Sequence, residues 1–311
     1  MNIITAVYNF LWGDLITLPL PGGSSIGISL LVLLLVPAGI YFTIRTRFVL
    51  IRKFPHMIQI AMEKNEHSQA GSISGFQALI VATATRVGMG NLVGVVAAIS
   101  AGGAGAVFWM WVSALLGMCT KFAEVTLAVH FRETNAQGDL VGGPMYYIKN
   151  GLDKKWHFLA YLFAAFGVLA VFGTGNATQV NTITTAIDSA LLNYNVISQN
   201  GVSTLNLIMG IAITVLVGLV LLGGIKRIGK VAEKLVPFMA LFYVILAIGV
   251  IILNYRHVPT VFASIFEGAF KPSSVTGGVV GSIFICMKKG VSRGIFSNEA
   301  GLGTGSIAHA C

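Results

Sequence analysis

Residues 82–100, ATATRVGMGNLVGVVAAIS, form an apolar segment of membrane-spanning length that Gly88, Gly90 and Asn91 interrupt at its centre. A helix that only crosses a bilayer gains nothing from two glycines and an amide at its midpoint. Unpaired backbone groups in hydrocarbon are costly, so such a break is tolerated only where it lines a cavity. In secondary transporters, breaks of this kind expose helix-end amides and carbonyls that bind carboxylates and cations near the bilayer midplane. The segment therefore predicts part of a solute transporter.

The composition is that of a polytopic membrane protein. Of the 311 residues, 55% are hydrophobic and 10% are charged, and the mean hydropathy is +0.83. Soluble domains carry roughly 25% charged residues. The net charge of +9 comes from lysines and arginines grouped beside apolar segments, which indicates membrane topology and argues against nucleic-acid binding. We expect the lipid bilayer as a partner and no nucleic acid. We expect no cleavable signal peptide, because no basic segment precedes the first apolar run.

Seven apolar runs are long enough to be membrane-spanning candidates. They cover residues 26–44, 74–100, 105–130, 157–194, 205–223, 236–254 and 273–287. The fourth run contains the residues GTGN (173–176), which leaves two alternatives. The run is either two short helices joined by a turn or one long helix.

The distribution of basic residues favours one long helix. Lysines and arginines cluster at 45–64, 132–155, 226–234 and 288–293. With a single helix at 157–194 all four clusters fall on one side of the membrane, as the positive-inside rule requires. With two helices the cluster at 226–234 would lie outside. We predict seven spans with the N-terminus on the extracytoplasmic side of a bacterial inner (plasma) membrane.

Several blocks of the sequence are similar to one known family in order and spacing. The most specific are GGAGAVFWMWVSALLG (102–117) and RGIFSNEAGLGTGSIAHA (293–310). The others are WGDLITLP (12–19), IYFTIRTRF (40–48), VGMGNLVGV (87–95), KFAEVTLA (121–128), GGPMYYI (142–148) and GNATQVN (175–181). These blocks resemble the alanine or glycine:cation symporter family, the sodium:alanine symporters, along the whole chain.

The resemblance implies an all-α polytopic membrane protein with a leucine-transporter-like fold of two inverted five-helix repeats. Within a single transmembrane domain, 1–72 would hold an N-terminal helix and a cytoplasmic amphipathic linker. Residues 73–255 would form the first repeat, and 256–311 the start of an incomplete second repeat. Family members continue well beyond the SNEAGLG block, so we expect this chain to be C-terminally truncated.

The function implied by the resemblance is sodium-coupled symport of alanine or glycine into the cell, with Na⁺ as the coupling ion and no other cofactor. A proton-coupled variant and a non-functional fragment of such a symporter remain alternatives. A channel is less suitable, because a broken helix with a helix-end anion site fits alternating access better than a continuous pore. We predict that the protein is not an enzyme, since its six histidines fall at span ends or in loops.

The break itself is the predicted substrate site. Gly88 and Gly90 allow the chain to leave helical dihedrals at low cost, and the freed amides of Met89 and Gly90 can hold a substrate carboxylate. The alternative is that Gly90 and Gly94 only permit close packing between helices. Asn91 favours a site, because it adds a polar group that packing does not need.

A further resemblance, to sodium-coupled leucine and neurotransmitter transporters, extends this site. In those proteins carbonyls before the break bind sodium, which implies Ala84 and Val87 as Na⁺ ligands with help from Asn91. Thr85 joins the substrate site. Many symporters of the family have Thr where Met89 stands, which leaves the choice among alanine, glycine and their D-enantiomers open.

Two more polar residues lie in predicted spans. Gln179, in the GNATQVN block, resembles the residue that supplies a polar substrate contact in the family. Its alternative role is an amide bonded to a neighbouring helix, worth about 1 kcal/mol. Arg86 lies beside the break, where an intramembrane charge needs a cavity or a partner. It would neutralise a carboxylate or pair with Glu124.

Four residues form two further polar pairs in the sequence. Lys121 and Glu124 are three residues apart on one helix face, and we predict an ion pair with a structural role. Asn298 and Glu299 lie in the SNEAGLG block, where a gating role and a structural cap are equally compatible with the sequence.

Overall fold

The computed structural model of the chain describes residues 3–19, 25–62, 80, 83, 88–271 and 283–310. Most of these residues are helical. The helices of the N-terminal half are α1 (Ile3–Trp12), α2 (Leu30–Arg45), α3 (Val49–Arg52), α4 (Phe54–Met62), α5 (Met89–Gly102), α6 (Ala106–His130) and α7 (Pro144–Gly151). They are followed by α8 (Phe158–Ala170), α9 (Thr178–Asn193), α10 (Val202–Leu221), α11 (Gly224–Leu253), α12 (Val258–Phe270), α13 (Ile283–Asn298) and α14 (Thr304–Ala310). Two antiparallel hairpins pair β1 (Ile16–Pro19) with β2 (Ser25–Ile28) and β3 (Glu133–Thr134) with β4 (Leu140–Val141).

Within the described residues, four helical runs are long and apolar enough to cross a membrane. They are Ala106–His130, Lys154–Asn193, Gln199–Leu221 and Arg227–Leu253. Two further apolar helices, Leu30–Arg45 and Asn91–Gly102, are shorter. These runs confirm the prediction of a polytopic, mainly α-helical membrane protein.

The fourth predicted span is one long helix, as the charge distribution indicated. The run Lys154–Asn193 has 40 residues, which is about 60 Å at 1.5 Å per residue. That is about twice the thickness of the hydrocarbon core, so the helix tilts or extends beyond it. The GTGN residues do not form a turn, because they lie in a π-helical stretch, Val171–Ala177, between α8 and α9. Such wide turns occur often at functional sites.

The first predicted span, 26–44, begins later than expected. Residues Ser25–Ile28 pair with Ile16–Pro19 in a hairpin, with Ile16 opposite Ile28. Both strands carry isoleucines, and β-branched residues fit a pleated strand. The helix α2 therefore has only 16 residues, about 24 Å. Most of the first half of the second predicted span, 74–100, lies outside the described residues.

Two predicted spans overlap helices that also include a basic cluster. The run predicted at 236–254 belongs to α11, which begins at Gly224 and includes the basic cluster 226–234. Of the run predicted at 273–287, residues 283–287 lie in α13, which continues through the basic cluster 288–293 and ends at Asn298, and the rest of the run lies outside the described residues. Lysine and arginine are good helix formers, so a basic cluster does not by itself end a helix.

The central helix is α6, which contacts α2, α5, α7, α12, α13 and α14. Helix α13 runs parallel to α6, with Gly290 against Ala106 and Gly294 against Ser113. A Cβ atom at Gly294 would lie 2.8 Å from the Cβ of Ser113. The Ser113 hydroxyl also donates to the Val291 carbonyl at 3.4 Å. Small residues thus let these two helices approach closely.

Helix α5 runs antiparallel to α13. Gly102, at the end of α5, lies against Cys286 and Lys289 near the start of α13. At the other end, the Asn91 side chain contacts Ser297 in the last turn of α13. The helices α5, α6 and α13 therefore form one packed group, with small buried residues at their contacts.

This packing corrects one part of the predicted topology. Lys289 lies level with Gly102, at the α5–α6 connection, and Lys288 forms an ion pair with Asp14. The basic cluster at 132–155 follows the opposite end of α6. The prediction that the clusters 288–293 and 132–155 lie on the same side of the membrane is therefore wrong for Lys288 and Lys289. The reason is that α13 continues alongside α6 instead of ending, which keeps Lys288 and Lys289 within the helix.

Candidate functional site

The chain enters helix α5 from an extended residue, Gly88. Its φ of −108° and ψ of −178° are those of a strand, and α5 begins at Met89, so its N-cap residue is a glycine that has no side chain to cap the helix. The Asn91 N–H donates to the Gly88 carbonyl at 3.1 Å. The first N–H groups of a helix have no acceptor within it and lie at the positive end of its dipole. A helix terminus thus stands where the sequence predicts the interruption.

This terminus lies level with the middle of the α6 span. The Asn91 Oδ1 accepts a hydrogen bond from the Ser297 hydroxyl. The residues that follow Ser297 lie against Gly117. A Cβ atom added at Gly117 would be 3.0 Å from the Cβ of Ala300 and 4.0 Å from the Cβ of Asn298. Gly117 is near the centre of the 25-residue helix α6. The start of α5 is therefore about half a span from either end of α6.

The predicted site residues separate into three groups. Gly88, Met89, Gly90 and Asn91 form the N-cap and first turn of α5. Gln179 is half-buried in the first turn of α9, and α9 packs against α5. The predicted sodium ligands Ala84 and Val87, together with Thr85 and Arg86, lie outside the described residues.

The contacts of Gly94 do not support the alternative that this glycine of α5 serves helix packing. A Cβ added at Gly94 would have no neighbour within 4 Å in the described part of the chain. Gly102, at the opposite end of α5, does lie close to α13, so helix packing accounts for that glycine but not for Gly94.

Ser297 is a polar residue of this region that the sequence did not single out. It is brought to Asn91 across 206 positions of sequence. The only signal for it was its place at the start of the SNEAGLG block, which is specific to the family but does not show which residue it faces.

A second polar cluster joins α6 to the segment after α13. Lys121 Nζ lies 3.0 Å from Glu124 Oε2, and the two side chains are only 13% and 11% exposed, which confirms the predicted pair. Lys121 also donates to the Glu299 carbonyl at 2.9 Å, and Glu124 Oε1 accepts from the Gly301 N–H at 2.6 Å. Both oxygens of Glu124 thus already have donors, without Arg86.

The segment after α13 has a backbone that only specific residues tolerate. Glu299, Gly301 and Gly303 have φ values of 52°, 89° and 75°. Glycine adopts this left-handed region freely, whereas glutamate does so at a cost. The Lys121 bond to its carbonyl holds Glu299 in place. These contacts favour a structural turn over a free gate for Asn298 and Glu299.

Helix α7 covers the same cluster. Burial, and then the charge of Glu124, raise the pKa of Tyr147 to about 12. Gly303 lies so close to Pro144 that an added Cβ would be 2.5 Å from the proline ring. The cluster is therefore enclosed by α6, α7 and the turn after α13.

Comparison with known proteins assigns the chain. The model of the sodium:alanine symporter family matches residues 22–311. The chain belongs to the sodium:alanine symporter family. It is 42% identical to an uncharacterised transporter of Haemophilus influenzae, over 99% of this chain and 62% of that protein. It is 37% identical to the sodium/alanine symporter AgcS of Methanococcus maripaludis, over 100% of this chain and 63% of that protein.

Other relatives carry different substrate names. The chain is 38% identical to the probable sodium/glutamine symporter GlnT of Bacillus subtilis, over 90% of this chain and 55% of that protein. The chain thus spans 62% and 63% of the first two relatives and 55% of the third. Membership of this family of transporters confirms that the chain is not an enzyme.

Proposed function

We propose that this protein is a secondary active transporter that carries alanine or glycine into the cell together with Na⁺. The observation that carries the proposal is the uncapped N-terminus of α5 at Gly88, level with the middle of α6. A helix N-terminus at this depth favours a carboxylate, and the N-cap residue Gly88 has no side chain to compete with it. The name of the sodium/alanine symporter AgcS supports both the amino acid and the ion.

Each predicted residue has a distinct role in this proposal. The amides of Met89 and Gly90 bind the substrate carboxylate, and Gln179 on α9 contacts the substrate from the side. The carbonyls of Ala84 and Val87 bind Na⁺ with help from Asn91. Thr85 lines the substrate site. The bond from Ser297 to Asn91 Oδ1 fixes the amide while leaving that oxygen a second lone pair.

We further propose the leucine-transporter-like architecture, with 73–255 as the first repeat and 256–311 as the start of the second. The support is the antiparallel pairing of α5 and α13, in which Asn91 meets Ser297. The first helices of two inverted repeats are expected to cross in this way around a central site. The proposed location is the inner membrane of a bacterium, with the N-terminus outside.

The test is uptake of labelled alanine and glycine in cells that lack their own carriers and express this protein. Gly90→Leu should abolish uptake at unchanged expression, because its side chain would fill the anion site. Gly94→Leu is the matched control on the same helix face and should retain uptake, since no described residue lies within 4 Å of a Cβ added at Gly94. Loss in both variants would support the packing alternative, and normal uptake by Gly90→Leu would remove the break from the mechanism.

A second candidate function is symport with a different coupling ion or a different amino acid. One relative is named a putative sodium/proton-dependent alanine carrier and another a probable sodium/glutamine symporter. Uptake that persists without Na⁺ but collapses with a protonophore would identify proton coupling. Competition by glutamine at the concentration at which alanine competes would identify the wider substrate range.

A further inference from the structure

The chain turns sharply where α2 ends. The Phe48 N–H donates to the Thr43 carbonyl and the Arg47 N–H to the Ile44 carbonyl, both at 3.0 Å. These two bonds, with Arg47 at a φ of 53°, form a Schellman motif. Phe48 also has a φ of 53°. Two successive left-handed residues end the helix and take the following chain off the α2 axis.

The segment that contains this turn and continues into α4, which we name the α3–α4 arm (residues 45–60), has an exposed apolar side. Ile51 is 74% exposed and Phe54 is 57% exposed. Phe54, Met57 and Ile58 follow the i, i+3, i+4 spacing that places them on one face of α4, and all three are exposed. His56 and Gln59 lie on the opposite face. The arm is held to the protein, because α3 contacts α6.

The arm is also strongly basic. Arg45, Arg47, Arg52 and Lys53 lie within nine positions, and residues 15–62 contain no aspartate or glutamate. In the described part of the chain, none of these four cations forms an ion pair. The described residues around the arm therefore supply no acidic partner, and Glu63 and Glu66, which follow the arm in the sequence, lie outside the described residues.

We propose that the α3–α4 arm lies in the membrane interface and binds anionic phospholipid headgroups. The apolar face of α4 enters the boundary between headgroups and acyl chains, and the four cations bind the phosphates around it. Amphipathic helices with basic flanks bind anionic bilayers in this manner. The arm directly follows the apolar helix α2, which lies in the first predicted span, so we expect the arm to begin at the membrane surface. This contact is separate from the substrate site and does not depend on what the protein transports.

The experiment places an environment-sensitive fluorophore on the arm of the full chain. Single cysteines are introduced as Ile58→Cys on the apolar face and Gln59→Cys on the polar face, as matched positions. The protein is reconstituted into vesicles of phosphatidylcholine alone or with 30% phosphatidylglycerol. With the anionic lipid, the label at 58 should be quenched by spin-labelled lipid and be at least threefold less accessible to aqueous iodide than the label at 59.

The charge requirement is tested with Arg52→Gln/Lys53→Gln in the same labelled chain. This variant should lose the difference between the two vesicle types. Equal lipid quenching in both vesicle types by the unaltered arm would overturn the selectivity for anionic headgroups. A label at 58 that neither lipid nor iodide quenches would show a protein cover, such as a second copy of the chain. A label open to iodide in both vesicle types would show that the arm stays in water. Each of these three results overturns the proposal.

Discussion

The carboxylate of Glu124 accepts a 2.6 Å hydrogen bond from the backbone N–H of Gly301, although the two residues are 177 positions apart. The same carboxylate holds Lys121, which in turn donates to the Glu299 carbonyl. One buried ion pair thus connects the central helix α6 to the SNEAGLG turn. We expect this connection to fix the turn against α6.

Removing one member of this pair should be more harmful than removing both. Lys121→Met leaves Glu124 as an unpaired buried charge, with an expected loss of about 3 kcal/mol in the free energy of unfolding. The double variant Lys121→Met/Glu124→Leu should recover part of that loss. Lys149→Met, in the exposed pair with Glu133, is the control and should cost less than about 1 kcal/mol. Thermal unfolding in detergent measures all three, and a double variant as unstable as the single one would contradict the pair's role.

The close approach of α13 to α6 should not tolerate a large residue at Gly294. A leucine there would meet Ser113, with an expected cost of about 1–3 kcal/mol from overpacking. Gly210→Leu on α10 is the control, because in the described part of the chain nothing lies within 4 Å of its added Cβ. Monodisperse yield and melting temperature after purification provide the comparison. Equal behaviour of the two variants would show that the α6–α13 contact does not limit stability.

Tyr147 should make stability fall at high pH. The ordinary tyrosine pKa is 10, and burial, with Glu124, raises it to about 12 in the folded protein. Between these values the unfolded chain loses a proton that the folded protein keeps, so stability is present below pH 10 and is lost as the pH rises towards 12. Tyr147→Phe should reduce the fall in melting temperature between pH 9 and pH 11. An identical fall in melting temperature in the original protein and in Tyr147→Phe would show that other titrating groups cause it.

The hydrogen bond between Asp188 and Asn206 should contribute to the stability of the contact between α9 and α10. Asn206 Nδ2 donates to Asp188 Oδ2 at 3.0 Å, but Asp188 Oδ1 and Asn206 Oδ1 are buried without a hydrogen-bond partner among the described residues. Asp188→Leu should cost about 1 kcal/mol, because it leaves the Asn206 amide unpaired. Asp188→Asn removes the charge and keeps an acceptor, so its melting temperature should stay near that of the original. A loss for Asp188→Asn as large as that for Asp188→Leu would show that the charge itself is required.

The proposed orientation is tested by labelling from outside the cell. A cysteine at Asn200 should react with a membrane-impermeant maleimide, and one at Lys230 should not. Cys119 and Cys286 are buried, and Cys311→Ser removes the remaining thiol. The reverse pattern would invert the proposed topology.

The sequence alone determined the features that depend on neighbouring residues. Gly88, Gly90 and Asn91 predicted an interruption at this point, because glycine and asparagine are poor residues for a helix interior, and a helix begins here at Met89. The spacing of Lys121 and Glu124 predicted their ion pair, since residues three apart share a helix face. The charge distribution predicted one long helix at 157–194, and the structure has it.

Only the tertiary structure decided which distant residues meet. The parallel packing of α13 on α6, the bond between Ser297 and Asn91 and the hairpin before α2 had no reliable local signal. Such contacts depend on which surfaces of small residues fit together after the helices have formed. Lys288 shows the consequence most directly. In the sequence it belongs to a basic cluster that resembles a cytoplasmic loop, whereas in the fold its helix continues past it and Asp14 neutralises its charge.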